Sequence, residues 1–232
     1  MRRRVAAVTL LALAAALSAA LLWRTGPRYR PGSDDFPRFG IDISHHQGNV
    51  DWRRVAADGV GFAYLKATEG GDWVDPRFAQ NRAQARAAGL EVGAYHFFTF
   101  CRDARAQAQN FLAAVPAGPM LPPVLDVEFG GNCAAVPGRE AVRASVLEWL
   151  DLVEQGTGQR PLVYVTEQAL AAFFEPADFG PAGRLRTRLW YRRLFVEPPK
   201  DYAEHVDVWQ YHARGQVDGI AGPVDLNLAR AR

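Results

Sequence analysis

Between residues 39 and 174 the chain alternates five times between a short apolar run and a stretch of helical periodicity. This rhythm restricts the fold more than any other feature. Strands separated by helices pair in parallel, each helix crossing back over the sheet. Strands are expected at 39–43, 61–66, 91–98, 122–128 and 161–165. Between them come helices at 51–58, from Pro76 to a stop at Gly89, after a cap at Asp103, at 138–155 and at 166–174. Ala104, Ala108, Phe111, Leu112 and Val115 form one helical face, and Val142, Val146, Leu150 and Val153 another. Beyond 174 three further strands are expected, at 188–191, 206–211 and 224–226, with connections too short or too Pro-rich for helices. The pattern predicts an α/β fold, an irregular TIM-like barrel of eight strands and about five helices, (β/α)5(β)3. The working face of such a barrel lies at the C-terminal ends of its strands.

The residues with chemistry fall at those ends: Asp42, Lys66, Glu69, Tyr95, His96, Asp126, Glu128, Tyr164, Trp190, Trp209 to Tyr211, and Asp225. Asp126 and Glu128 are the most telling pair. They close the apolar run 121–128, and residues i and i+2 of a strand share a face. Two carboxyl groups side by side can divide their protonation states, one acid and one anion, as cleavage of a sugar–sugar bond requires. Same-face Cα atoms stand about 6.5–7 Å apart, so retaining and inverting geometries both remain open.

Charge and cysteines bound the setting. Six of the 27 basic residues precede position 31 and none of the 25 acidic ones does. The rest of the chain therefore carries 21 Lys and Arg against 25 Asp and Glu, about −4, which gives no reason to expect a nucleic-acid partner. Cys101 and Cys133 each follow a strand end, and a disulfide is expected if those strands are neighbours, as export would permit. Two cysteines are too few for a zinc cluster, and adjacent His45 and His46 do not naturally face one ion, so no metal or cofactor is expected.

Three arginines at positions 2–4 precede 19 uncharged residues, 5–23. As a helix that run would be about 28 Å long, close to a bilayer's hydrocarbon thickness. Residues 1–23 are read as a membrane anchor in preference to a signal peptide, for which Ser18-Ala19-Ala20 offers a cleavage site. Residues 24–37, with three prolines, are read as a linker, and 38–232 as the catalytic barrel. The expected location is periplasmic or extracytoplasmic, tethered to the inner membrane through 5–23 or otherwise secreted, and the expected state is a monomer.

Five segments, in order, resemble glycoside hydrolase family 25, the muramidases related to Chalaropsis-type lysozyme. They are 40–48 (GIDISHHQG), 66–70 (KATEG), 93–97 (GAYHF), 125–128 (LDVE), and 209–211 (WQY) with 224–227 (VDLN). The likeness covers about residues 38–230. It implies an irregular eight-stranded barrel with five helices, and hydrolysis of the β-1,4 bond between N-acetylmuramic acid and N-acetylglucosamine in peptidoglycan glycan strands. It also implies Glu128 as general acid and Asp126 as an ionised partner, with Asp42 and Asp225 flanking them. Asp126 has three open roles: direct nucleophile, orienter of the substrate's 2-acetamido group, or activator of water; the resemblance points to the second. One departure stands out: family members often have Trp-x-x-x-Tyr on the sixth strand, where this chain has Trp190 followed by Tyr191, Arg192, Arg193 and Leu194.

Each residue also has an ordinary reading. Asp42 and Asp225 suit a cap and a turn, and Glu69 the start of a Gly-Gly turn. Lys66 and Glu69 suit an ion pair supporting the site. Tyr95, Tyr164, Trp190 and Trp209 suit either sugar stacking or core. His96 reads as a hydrogen-bonded strand residue. Two alternatives to a muramidase are a non-catalytic peptidoglycan-binding module and a metal-dependent phosphodiester hydrolase. The first does not need four carboxyls, and the second lacks a phosphate-cradling glycine loop.

Overall fold

Arg38–Ile43 (β1) pairs on one side with Phe62–Glu69 (β2) and on the other with Val224–Ala229 (β9), and this double pairing closes the sheet on itself. The computed structural model describes residues 18, 19, 22, 26–118, 120–130 and 133–231. Between β2 and β9 lie Trp73–Val74 (β3), Glu91–Phe97 (β4), Val124–Val127 (β5), Leu162–Thr166 (β6), Leu189–Arg192 (β7) and Val206–Gly215 (β8). Around the ring the order is β1, β2, β4, β5, β6, β7, β8, β9; β3 is a two-residue flap on β2. Seven barrel strands run parallel, and β9 runs antiparallel to both neighbours.

Five helices follow the first five barrel strands: α1 (Trp52–Ala57), α2 (Phe78–Ala87), α3 (Ala104–Ala114), α4 (Arg139–Thr157) and α5 (Glu167–Phe173). The expected (β/α)5(β)3 barrel is present. It gains β3 and a four-residue helix, α6 (Lys200–Ala203), both too short to leave a periodic signature. Local chemistry sets the helix boundaries. Asp103 caps α3 by accepting from the Ala106 amide at 2.9 Å. Gly158, with φ of 72°, ends α4 in the left-handed conformation. The α4 stripe of Val142, Val146, Leu150 and Val153 is buried, together with Trp149.

Two apolar layers result. The outer layer packs the outward residues of the strands, such as Ile41, Leu65, Leu125 and Val163, under the helices. The inner layer plugs the lower half of the barrel with Phe62, Tyr64, Val124, Leu162, Trp190 and Val208. Gly40 and Gly93 face that plug. A Cβ there would lie 2.4 Å from the Phe62 ring and 2.1 Å from the Tyr64 ring, so only glycine lets the rings fill the floor. The upper half is left to polar side chains.

The part of the expected linker that is described has no helix or strand, yet it lies along the barrel. The Pro27 carbonyl accepts from the Gln216 amide at 2.7 Å, Arg28 pairs with Asp218 at 2.6 Å and Arg30 with Asp58 at 3.0 Å. Phe36 is buried against the edge of Trp209 and beneath Arg230. Proline content reveals the irregular backbone but not its aromatic anchor. The expected membrane segment 5–23 lies almost wholly outside the described residues; among the described residues no helix is long and apolar enough to cross a membrane. Cys101 and Cys133 are disulfide-bonded, with Cα atoms 5.6 Å apart, joining the loops after the adjacent strands β4 and β5.

Candidate active site

The upper mouth of the barrel holds a hollow of about 260 Å³ walled by Asp42, Lys66, Tyr95, Asp126, Glu128, Tyr164, Trp190 and Asp225, with Ser44, His46 and Phe97 at its edge. A hollow of similar size near the start of β5, lined by residues such as Leu112, Val115 and Leu121, contains no titratable side chain. The carboxyls converge because of register. Asp42 on β1 is the direct partner of Asp225 on β9, and Asp126 on β5 lies between Phe97 on β4 and Tyr164 on β6.

Asp42 is held as an anion by two relays. Tyr164 donates to Gln210 Oε1 at 3.0 Å, and Gln210 Nε2 donates to Asp42 Oδ2 at 3.1 Å. Trp190 Nε1 donates to Asn227 Oδ1 at 2.9 Å, and Asn227 Nδ2 donates to the same Asp42 oxygen at 2.8 Å. An indole N–H can only donate, so Trp190 fixes which end of the Asn227 amide faces Asp42. Burial raises Asp42 to about 6, against the lowering effect of Asn227, Gln210 and Arg192. Burial and the Asp42 charge push Asp225 further, to about 9, so at neutral pH Asp225 keeps its proton and donates to Asp42.

The second pair is also shifted by burial. Asp126 is 8% exposed, and its Oδ1 has no hydrogen-bond partner among the described residues. Burial first, then the Glu128 charge, hold its carboxyl well above the usual range. Glu128 is raised too, chiefly by burial, but the Arg192 and Lys66 charges oppose the shift. Burial therefore favours the protonated form of both carboxyls of this pair. That Asp126 Oδ1 meets no donor among the described residues is a feature no strand pattern reveals.

Lys66 Nζ lies 2.7 Å from Glu69 Oε2 and over the Phe97 and Trp73 rings, at 4.7 and 5.1 Å. Lys66 reaches the hollow wall and Glu69 stands behind it. Tyr95 and Tyr164 line the wall as protonated phenols, held above their ordinary value by burial and the carboxyl charges. Trp190 forms the floor, 2% exposed and packed on Tyr64 at 4.8 Å, so its face is covered by protein. Trp209 does not belong to the hollow. It is 1% exposed on the outer face of β8, where its Nε1 donates to the Arg193 carbonyl at 2.7 Å. Strand alternation sends its neighbour Gln210 inward instead. Gln210 falls within the strand-end stretch 209–211 without a role of its own, and Asn227 is missed from sequence. Each is a lone amide in an apolar strand, which is the signal that marks it. His96 is buried outside the barrel wall, between Thr68 Oγ1 at 2.7 Å and Gln107 Oε1 at 3.1 Å, and burial lowers it to about 4. His45 Nδ1 faces Asp75 Oδ2 at 3.1 Å.

Residues 41–220 match the family described as glycosyl hydrolases family 25. The chain is 37% identical over 199 residues to YegX, an uncharacterized protein of Escherichia coli (strain K12), covering 82% of this chain and 68% of YegX. It is 30% identical over 198 residues to Lysozyme M1 of Streptomyces globisporus, covering 81% of this chain and 66% of the relative. The solved structure of a family 25 glycosyl hydrolase from Bacillus anthracis superposes with a TM-score of 0.78 at 31% identity, covering 88% of this chain and 94% of that one.

Proposed function

The chain belongs to glycosyl hydrolases family 25 and is a glycoside hydrolase of the N-acetylmuramidase type, and we propose that it cuts the β-1,4 bond after N-acetylmuramic acid in peptidoglycan with Glu128 as general acid and Asp126 assisting. The observation that carries this reading is the facing of two carboxyl pairs, Asp126 with Glu128 and Asp42 with Asp225, across one hollow.

The chemistry follows from the unpartnered Asp126 oxygen. A substrate acetamido N–H placed against Asp126 Oδ1 supplies the donor that its anion lacks. Charge then settles on Asp126 and the shared proton on Glu128, which now stands as acid beside the glycosidic oxygen. The acetamido carbonyl oxygen attacks the anomeric carbon as the C–O bond breaks, and Glu128 delivers its proton to the leaving oxygen. Asp42, held as an anion by Gln210 and Asn227, stabilises the developing oxocarbenium charge. Water then opens the cyclic intermediate, with Glu128 as base, restoring the acetamido group and the Glu128 proton.

The enzyme acts outside the cytoplasmic membrane, where the wall is. An anchored form remodels the wall of its own cell; a mature protein found soluble and lacking residues 1–20 would remove that part. Turbidity clearing of wall suspensions tests the activity: Glu128→Gln should reduce it by about 10²–10⁴-fold with the fold intact. Equal clearing by both proteins would leave Glu128 without a catalytic role, and no clearing by either would favour a wall-binding module.

A further inference from the structure

Arg192 ends β7 and is followed by a second arginine, Arg193. It points the same way as Trp190 two residues earlier, toward the barrel axis, at the register of Thr166 on β6 and Gln210 on β8. That places it at the rim of the hollow, above the floor that Trp190 makes. Its neighbour Arg193 is structurally committed. The Arg193 Nε lies 3.2 Å from Glu167 Oε1, its Nη1 donates to the Glu197 carbonyl at 2.8 Å, and its backbone pairs with β8. Lys66, the other cation of the site, is paired with Glu69. Arg192 differs from both: it is half-buried, yet it has no ion pair within 4.0 Å and no side-chain hydrogen bond among the described residues. Asp42, Glu128 and Asp225 feel its charge at longer range. A planar fork of five donors is left facing the mouth of a glycan-binding hollow.

We propose that Arg192 is a specificity-determining residue that receives a substrate carboxylate in a bidentate pair beside the scissile sugar. This rests on the muramidase reading. Two substrate sources carry that chemistry: the lactyl carboxylate of muramic acid, free where the stem peptide has been removed, and the carboxylates of the stem peptide itself. The guanidinium geometry matches a carboxylate, and among the described residues none of the protein's own carboxyls pairs with it within 4.0 Å.

The test compares wild type, Arg192→Met and Arg192→Lys on three soluble glycan oligomers. One bears stem peptides, one is denuded with free lactyl carboxylates, and one is denuded with those carboxylates converted to methylamides. Arg192→Met should raise KM on one anionic glycan about tenfold more than on the neutral one, with kcat moving less than KM, and Arg192→Lys should recover part of the loss. A selective loss on the denuded acid assigns the lactyl group; a selective loss on the peptide-bearing oligomer assigns the stem. Equal changes on all three glycans, or a shifted pH profile without loss of discrimination, would overturn the inference and leave Arg192 serving the enzyme's own carboxyls. A wild-type chain that releases no reducing ends from any glycan would overturn the muramidase reading and the inference with it.

Discussion

Replacing Asp225 with Asn should make the protein more stable and less active, and the stability gain should grow with pH. Asp225 rises from 3.8 to about 9 on folding, because burial and the neighbouring Asp42 charge disfavour its anion. A carboxyl raised in this way binds its proton more tightly folded than unfolded. Its favourable contribution is complete below 3.8 and is lost as pH rises toward about 9. At pH 7 the unfolded carboxyl is ionised and the folded one is not. The difference of about 3 units corresponds to roughly 4 kcal/mol at 1.36 kcal/mol per unit. Asp225 and Asp42 titrate as an interacting pair, which discounts this figure, and roughly 2 kcal/mol is the expected gain for a neutral amide of the same shape that still donates to Asp42. For a domain of this size that is a rise in Tm of about 4–8 °C. Chemical denaturation of wild type and Asp225→Asn between pH 4 and 9 measures it. The difference should be near zero at pH 4 and largest near pH 9. Wall-clearing activity should fall at least tenfold over the same range. A variant less stable than wild type, or a difference independent of pH, would refute a protonated Asp225.

Three further outcomes follow. Gln210→Ala or Asn227→Ala removes a donor that lowers Asp42, so Asp42 protonates at higher pH and the acid limb of the activity profile should move upward, as a pH–rate series would show. Phe36→Ala empties a buried site between the strap and Trp209 and should cost about 3 kcal/mol in urea unfolding, whereas a free linker would cost nothing. Reducing the Cys101–Cys133 bond, which spans 32 residues, should cost about 3–4 kcal/mol on chain entropy, read from the denaturation midpoint with and without reductant.

The barrel was legible because its cause is periodic. Alternation of 2-residue and 3.6-residue apolar patterns marked every barrel strand and the five helices that follow strands, and strand ends collected Asp42, Asp126, Glu128 and Asp225. What escaped was set by side-chain direction and by partners distant in sequence. Trp209 and Gln210 differ by one position, and the pleat alone decides which enters the hollow. The raised Asp126 carboxyl depends on burial by strands distant in sequence and on the Glu128 charge. The docking of residues 26–37 depends on Phe36 finding Trp209, 173 positions away.

The most direct measurement is the chemical identity of the new chain ends. Purified protein is incubated with peptidoglycan, the products are reduced with borohydride, and the terminal sugars are identified by mass spectrometry. Muramitol termini that appear with wild type and vanish with Glu128→Gln are the predicted result. Glucosaminitol termini, or muramitol termini that persist when Glu128 is replaced, would contradict it.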